Sequence, residues 1–336
     1  MTKRIDPEQF GEGAELPRVI AHRGASAHRP EHTLAAYELG IDQGADAIEA
    51  DLVATRDGEL VARHENDISR TTDVGARPEF AERRTTKVID GVAMTGWFSE
   101  DFTLAELRTL RATERLPRLR PANCAFDGQD PVPTLQEVLD LARRRGVRVY
   151  LELKHSTYFA SLGLGLEAPL VEVLEHNGYR ARDASVVIQS FETGDLRRLR
   201  TMTRLPLAQL VGGTGRPYDL EAAGDERTYR DLATPTGLAE IATYADGIGP
   251  NKNLAVPRDA EGRLTEPSRL VEDAHRAGLF VNVYTFRSER PFLPVDLQGD
   301  PAAEIRAFLA AGVDGVIADD PDLAVDARDE LLGAAA

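Results

Sequence analysis

Short apolar runs alternate with amphipathic stretches along almost the whole chain. A run such as Val19-Ile20-Ala21 is too short for a buried helix and ends in polar residues, so it reads as a buried strand. The pattern predicts strands near residues 18–22, 46–52, 147–153, 185–189, 206–211, 246–249, 279–284 and 313–318. Apolar positions at helical spacing predict helices near 33–43, 134–145, 166–177, 192–202, 236–244, 267–277, 301–311 and 321–332. Thr103–Glu106 and Thr134–Glu137 have the spacing of capping boxes, and Gly44, Gly146, Gly178, Gly278 and Gly312 fall where helices should stop. Eight strand–helix units predict an α/β fold, a (β/α)8 TIM barrel, with a doubly wound open sheet as the alternative.

One interval breaks the rhythm. The stretch from the strand near 46–52 to the strand near 147–153 is far longer than the others, holds Pro78, Gly91, Gly96, Trp97, Pro117, Pro121 and Gly128, and shows one clear helix, near 104–112. This predicts a small insertion over 66–131 in the second βα-loop, capping the C-terminal face where barrel active sites form. The barrel would then comprise 18–65 and 132–332, with 1–17 as a lead segment.

Composition narrows the partners. With 336 residues and 42% hydrophobic content the chain suits one large soluble barrel. Its net charge of −16 argues against nucleic acid or an anionic membrane. A small anionic substrate stays possible, because a bound divalent cation reverses the local sign. Cys124 is the single cysteine, so no intrachain disulfide forms. No apolar run approaches a membrane span, and the N-terminus has no apolar signal region, so the visible sequence reads as cytoplasmic. A chain trimmed of its signal, periplasmic or secreted, would look the same.

Against this background a few positions carry chemistry. The strand Val19-Ile20-Ala21 runs straight into His22 and Arg23, two hydrogen-bonding cations at a buried strand end, which calls for an anion there. Glu49 and Asp51 are two apart on the second strand and so share a face; Glu152 and Lys154 repeat the device on the third. Like charges so placed need a counter-charge, and a divalent cation with hard oxygen ligands is the simplest one. Asp57-Gly58 is a hairpin turn signal that brings His64 back toward Glu49 and Asp51. Taken singly, each has a plainer explanation: a solvent-facing edge strand, a Glu–Lys pair, a structural histidine. Together, two histidines, an arginine, a lysine and three carboxylates at neighbouring strand ends are the mix that phosphodiester cleavage requires.

These residues lie in stretches that resemble the glycerophosphodiester phosphodiesterase family: "IAHRGASAHRPEHTLAAY" (20–37), "GADAIEADLVATRDGELVARHE" (44–65), "VPTLQEVLDLA" (132–142), "LELK" (151–154), "YADGIGP" (244–250) and "VYTFRSE" (283–289). They look most like its bacterial periplasmic-type branch, which carries calcium and an inserted small domain. The resemblance implies metal-dependent hydrolysis of glycerophosphodiesters, such as glycerophosphocholine and glycerophosphoethanolamine, to sn-glycerol 3-phosphate and an alcohol. It makes His22 and His64 the acid–base pair and Glu49, Asp51 and Glu152 the ligands of one divalent cation, Ca2+ ahead of Mg2+. Arg23 and Lys154 would contact the phosphate, Glu31 would orient the site, and Gln189, Phe191 and Tyr284 would wall the substrate. The family usually follows its second histidine with Asp; here stands Glu65, which leaves a supporting role at that position open. Attack by water and attack by the substrate's own glycerol hydroxyl, through a cyclic phosphate, both remain open, the second accounting for a preference for glycerol esters. The alternatives are a phospholipase-type diesterase of the same barrel class acting on lipid head groups, and a non-catalytic phosphate-ester binder.

Overall fold

A computed structural model describes residues 16–182 and 184–333; most of the predicted lead segment, 1–17, lies outside them. Eleven strands form in chain order: β1 (Arg18–His22), β2 (Ala47–Ala54), β3 (Leu60–Ala62), β4 (Thr85–Ile89), β5 (Val92–Gly96), β6 (Arg148–Leu153), β7 (Val186–Ser190), β8 (Leu207–Val211), β9 (Gly247–Pro250), β10 (Phe280–Phe286) and β11 (Gly315–Ala318). Eight of them pair in parallel in the order β1-β11-β10-β9-β8-β7-β6-β2, and β2 pairs back onto β1 to close the ring. The fold is a (β/α)8 TIM barrel, and the open-sheet alternative is excluded by that closure.

The barrel follows from side-chain alternation. Val19, Ala21, Ile48, Ala50, Leu52, Val149 and Leu151 point outward into the layer between strands and helices. Ile20, Ala47, Tyr150, Val187, Ala208 and Ile317 point inward and fill the barrel floor. Fully burying a side chain such as Ile20 or Val187 contributes about 1.5–3 kcal/mol, so a one-residue slip that exchanged the two faces is strongly disfavoured. Because the period is two, fixing the floor also fixes what stands above it. Ile20 places His22, Ala47 places Glu49 and then Asp51, Tyr150 places Glu152, Val187 places Gln189, and Ile317 places Asp319.

The predicted helix punctuation is present. Thr134 caps the helix Leu135–Arg145 with a complete capping box, and that helix ends on Gly146 at φ 68°. Thr103 and Glu106 form a second capping box, although its helix, Leu104–Leu107, is shorter than expected. Residues between β3 and the helix Leu135–Arg145 include the two-stranded sheet β4–β5, which the apolar pattern does not show.

Candidate active site

The predicted hairpin forms at the end of β2. Leu52 pairs with Ala62 and Ala54 with Leu60, around a turn in which Gly58 takes φ 83°. His64 therefore returns to the mouth of the barrel beside the end of β2. Register brings the other groups together: His22 is the neighbour of Glu49, Asp51 of Glu152, and Glu152 of Gln189.

At the end of β1 the backbone turns through Arg23 (φ 60°) and Gly24 (φ 83°). A Cβ on Gly24 would lie 2.4 Å from the Ala36 carbonyl carbon, so glycine is required where the helix Leu34–Asp42 passes. The turned backbone N–H of Arg23 donates to Glu49 Oε2 at 3.0 Å. Its guanidinium donates to Glu31 Oε2 at 3.1 Å and lies 3.3 Å from Asp51 Oδ2. Burial opposes charge on Arg23, but Glu31, Asp51 and Glu49 outweigh it and hold the guanidinium firmly protonated. Glu31 also accepts from Arg115 Nε at 2.7 Å; burial disfavours its charge, but Arg23 and Arg115 hold it ionised.

His22 donates from Nδ1 to Asp319 Oδ1 at 2.5 Å, which leaves Nε2 as the free ring nitrogen. Burial and the Arg23 charge lower its pKa to about 4, against the pull of Asp319. Asp319 is penalised by burial yet stays ionised through His22, Arg287 and Arg120; Arg120 Nη2 lies 2.5 Å away and Arg287 Nε 3.0 Å away. His64 Nδ1 stands 2.8 Å from Glu65 Oε1, off the axis of a full hydrogen bond. Burial, Arg23 and Lys154 lower the His64 pKa to about 3. Glu65, the residue that departs from the family pattern, thus does reach the second histidine. Its other oxygen accepts from His155 Nε2 at 2.8 Å, and His155 Nδ1 donates to Asp90 Oδ2 at 2.6 Å.

Glu49, Asp51 and Glu152 are all buried, and each offers an oxygen within 4.8 Å of the others. Asp51 Oδ1 and Glu152 Oε1 are buried without a well-directed hydrogen bond, although Lys154 Nζ lies 3.3 and 2.5 Å away. Burial and crowding by Asp51 push the Glu49 carboxyl well up, and burial raises Glu152 to about 8 despite Lys154. Asp51 stays ionised against burial through Lys154 and through His32. Three converging carboxylate oxygens, two of them poorly satisfied, are a hard-oxygen donor set that suits one divalent cation.

His22, His64, Glu49 and Glu152 line one cavity of about 340 Å³, with Arg115, Lys252 and Arg287 on its walls beside Arg23 and Lys154, while Asp51 lies behind it. Phe191 and Tyr284 meet edge to face there at 5.8 Å, and Tyr284 donates its hydroxyl to Val211 O at 3.1 Å. Gln189 lines the cavity and donates to Glu49 Oε1 at 3.4 Å, so it touches the carboxylate cluster as well as the wall. Glu31 does not line the cavity; it holds Arg23 and Arg115, which do.

Several polar residues of the site escape the sequence reading. His32 donates from Nε2 to Asp51 Oδ2 at 2.8 Å and accepts from the Tyr37 hydroxyl at Nδ1, 2.7 Å away. Fully buried Arg63 donates to Glu31 O at 3.0 Å. Asp319, Arg287, Arg115 and Arg120 also belong here. His32 and Arg287 stand inside the quoted "PEHT" and "YTFR" stretches, and Asp319 follows Ile317 at the inward period; Arg115 and Arg120 have no local signal.

The model of the glycerophosphoryl diester phosphodiesterase family matches residues 22–323. Among curated proteins, glycerophosphodiester phosphodiesterase GDPD6 of Arabidopsis thaliana is 34% identical over 318 residues, covering 90% of this chain and 83% of its own. The glycerophosphodiester phosphodiesterase of Bacillus subtilis is 30% identical over 310 residues, covering 90% and 84%. Among solved structures, an Oleispira antarctica phosphodiesterase in complex with sn-glycerol 3-phosphate superposes with a TM-score of 0.64 at 22% identity, covering 94% of this chain and 97% of that one. A glycerophosphodiester phosphodiesterase from Agrobacterium tumefaciens gives a TM-score of 0.59 at 23% identity, covering 93% and 100%. With the barrel, the strand-end cluster and a family match that spans nearly all of the described chain, this protein belongs to the glycerophosphoryl diester phosphodiesterase family.

Proposed function

We propose that the protein hydrolyses small glycerophosphodiesters to sn-glycerol 3-phosphate and an alcohol. The observation that carries this reading is the convergence, at one cavity, of two histidines, a cationic wall and a buried three-carboxylate cluster of which Glu49 and Glu152 line the space. Named relatives of the same family, and the neighbouring structure in complex with sn-glycerol 3-phosphate, support the substrate class.

Arg23 and Lys154 bind the phosphate's nonbridging oxygens and stabilise charge as it shifts in the transition state. Glu49, Asp51 and Glu152 would hold a divalent cation, calcium ahead of magnesium, which when bound would supply further neutralisation of phosphate charge. One of His22 and His64 takes the proton of the attacking hydroxyl; the other delivers a proton to the oxygen that leaves when its bond to phosphorus breaks. Asp319 fixes His22 in the tautomer with Nε2 free, and Glu65 supports His64. Burial holds both rings neutral in the free protein, aided by Arg23 at both and by Lys154 at His64, and a bound phosphate anion offsets those cations and favours proton uptake.

The test is hydrolysis of glycerophosphocholine by purified protein, scored as glycerol 3-phosphate formed, with and without a chelator. Release that stops on chelation and returns with calcium or magnesium is expected. Absence of release under metal-replete conditions, or full activity after exhaustive chelation, would overturn the corresponding part of the reading.

A further inference from the structure

His64, Glu152, Lys154 and Phe191 do not only line the cavity described above. They also line a second cavity of about 450 Å³, whose wall includes Asp90 at the tip of the β4–β5 hairpin. The two spaces differ in charge. Setting aside the shared residues, the first is walled by the cations Arg23, Arg115, Lys252 and Arg287 against one carboxylate, Glu49. The second is walled by the acidic groups Glu65, Asp90, Glu192 and Glu221, burial lifting Glu192 to about 7, against two cations, His155 and Arg216. It also carries rings that the first lacks, Tyr218 and Tyr229, and Tyr229 packs edge to face on the shared Phe191 at 5.9 Å.

The site is therefore electrically polarised across the shared residues. A phosphodiester seated between them leaves its anionic product in the cationic cavity and its alcohol in the acidic one. An organic cation gains twice there: from carboxylates in a partly dehydrated space, and from the faces of Tyr or Phe rings within reach. Asp90 Oδ1 is buried with no hydrogen-bond partner among the described residues, an acceptor left open on this wall. The carboxylate of Glu192 is held in place by the N–H and hydroxyl of Thr157.

We propose that this second cavity is the subsite for the leaving alcohol and that it selects alcohols bearing an ammonium or quaternary ammonium group over neutral ones. The proposal rests on the diesterase reading and adds to it the charge of the head group and the residues that sense it. His64, which lines both spaces, is then the histidine on the leaving-group side.

The experiment compares kcat/KM for glycerophosphocholine and glycerophosphoglycerol on metal-replete full-length protein, for wild type, Glu221→Gln and Tyr218→Leu. The wild type should favour the choline ester about tenfold or more. Each substitution should cut that ratio roughly three- to tenfold, the range of one screened charge or one cation–π contact. Choline alone should inhibit the wild type and glycerol should not, which decides the matter even if a variant fails to fold. A wild-type ratio near one, or variants that leave the ratio unchanged, overturns the cation-selecting subsite while the diesterase reading stands. Hydrolysis of neither ester overturns both.

Discussion

His22 and His64 reach the same cavity from unlike surroundings. His22 is clamped by an ionised aspartate at the end of β11, whereas His64 rests on a glutamate that also serves His155. If they divide acid and base work, His22→Ala and His64→Ala should each lower kcat by about 10² to 10⁴, the usual contribution of a positioned proton-transfer group. The double variant should lose little more than the worse single, because residues acting as a unit are not additive. A nitrophenyl phosphodiester, whose leaving oxygen needs little protonation, should partly rescue one variant and not the other. Equal rescue of both, or losses of only a few-fold, would show that the rings are structural. At this scale the residues legible in sequence are those tied to strand period: Glu49, Glu152 and Gln189 follow from the floor residues two positions earlier, and Asp51 from Ala47 four positions earlier. Arg115 and Arg120 were not legible, since they reach Glu31 and Asp319 only through the path of a long loop that no periodicity describes. Asp319 obeys the period but had no visible partner until β11 closed beside β1.

Among elements, the β4–β5 hairpin is the one the sequence hides. Its strands are largely exposed, so no alternation of apolar and polar positions marks them. The short helices Tyr218–Ala222, Tyr229–Leu232 and Lys252–Ala255 are too brief for a helical period to register. The regular barrel helices were legible because caps and glycines punctuate them. Thr134→Ala should accordingly destabilise by about 1 kcal/mol in chemical denaturation, the usual cost of a lost side-chain cap, and no change would discount the capping box. The hairpin is tied down by Asp90, whose Oδ2 accepts from His155. Burial alone would lower the His155 pKa, but hydrogen bonds to Asp90 and Glu65 outweigh it and raise the value from 6.5 to about 9. The folded value exceeds the ordinary one, so this tie contributes fully below pH 6.5 and is lost as pH rises through 9, with a magnitude on the order of 2 kcal/mol. His155→Gln should therefore lower Tm at pH 6, and the deficit against wild type should shrink by pH 10. A deficit independent of pH would mean that His155 acts by packing rather than by charge.

On the scale of the whole molecule, the carboxylate cluster spans strands that must be adjacent for the barrel to close. Glu49 and Asp51 come from β2 and Glu152 from β6, while Arg23, held by Glu49, continues β1, the strand that seals the ring against β2. The sequence places these carboxylates on one face of each strand; only closure makes them one cluster. Three buried carboxylates repel one another, and burial leaves Glu49 and Glu152 resisting ionisation. A cation that binds them in the folded chain and not in the unfolded one stabilises the barrel by about 2.7 kcal/mol at a free concentration 100 times its Kd. Oxygens within 4.8 Å of one another are close enough to share one divalent cation with hard oxygen ligands. Scanning calorimetry of chelator-treated protein should thus show Tm rising with the logarithm of added calcium or magnesium. Glu152→Gln should abolish most of the rise while leaving the metal-free Tm near or above that of wild type, because it removes one member of a repelling trio. A Tm indifferent to both ions, or a full calcium response in the variant, would show that the three carboxylates do not hold a cation.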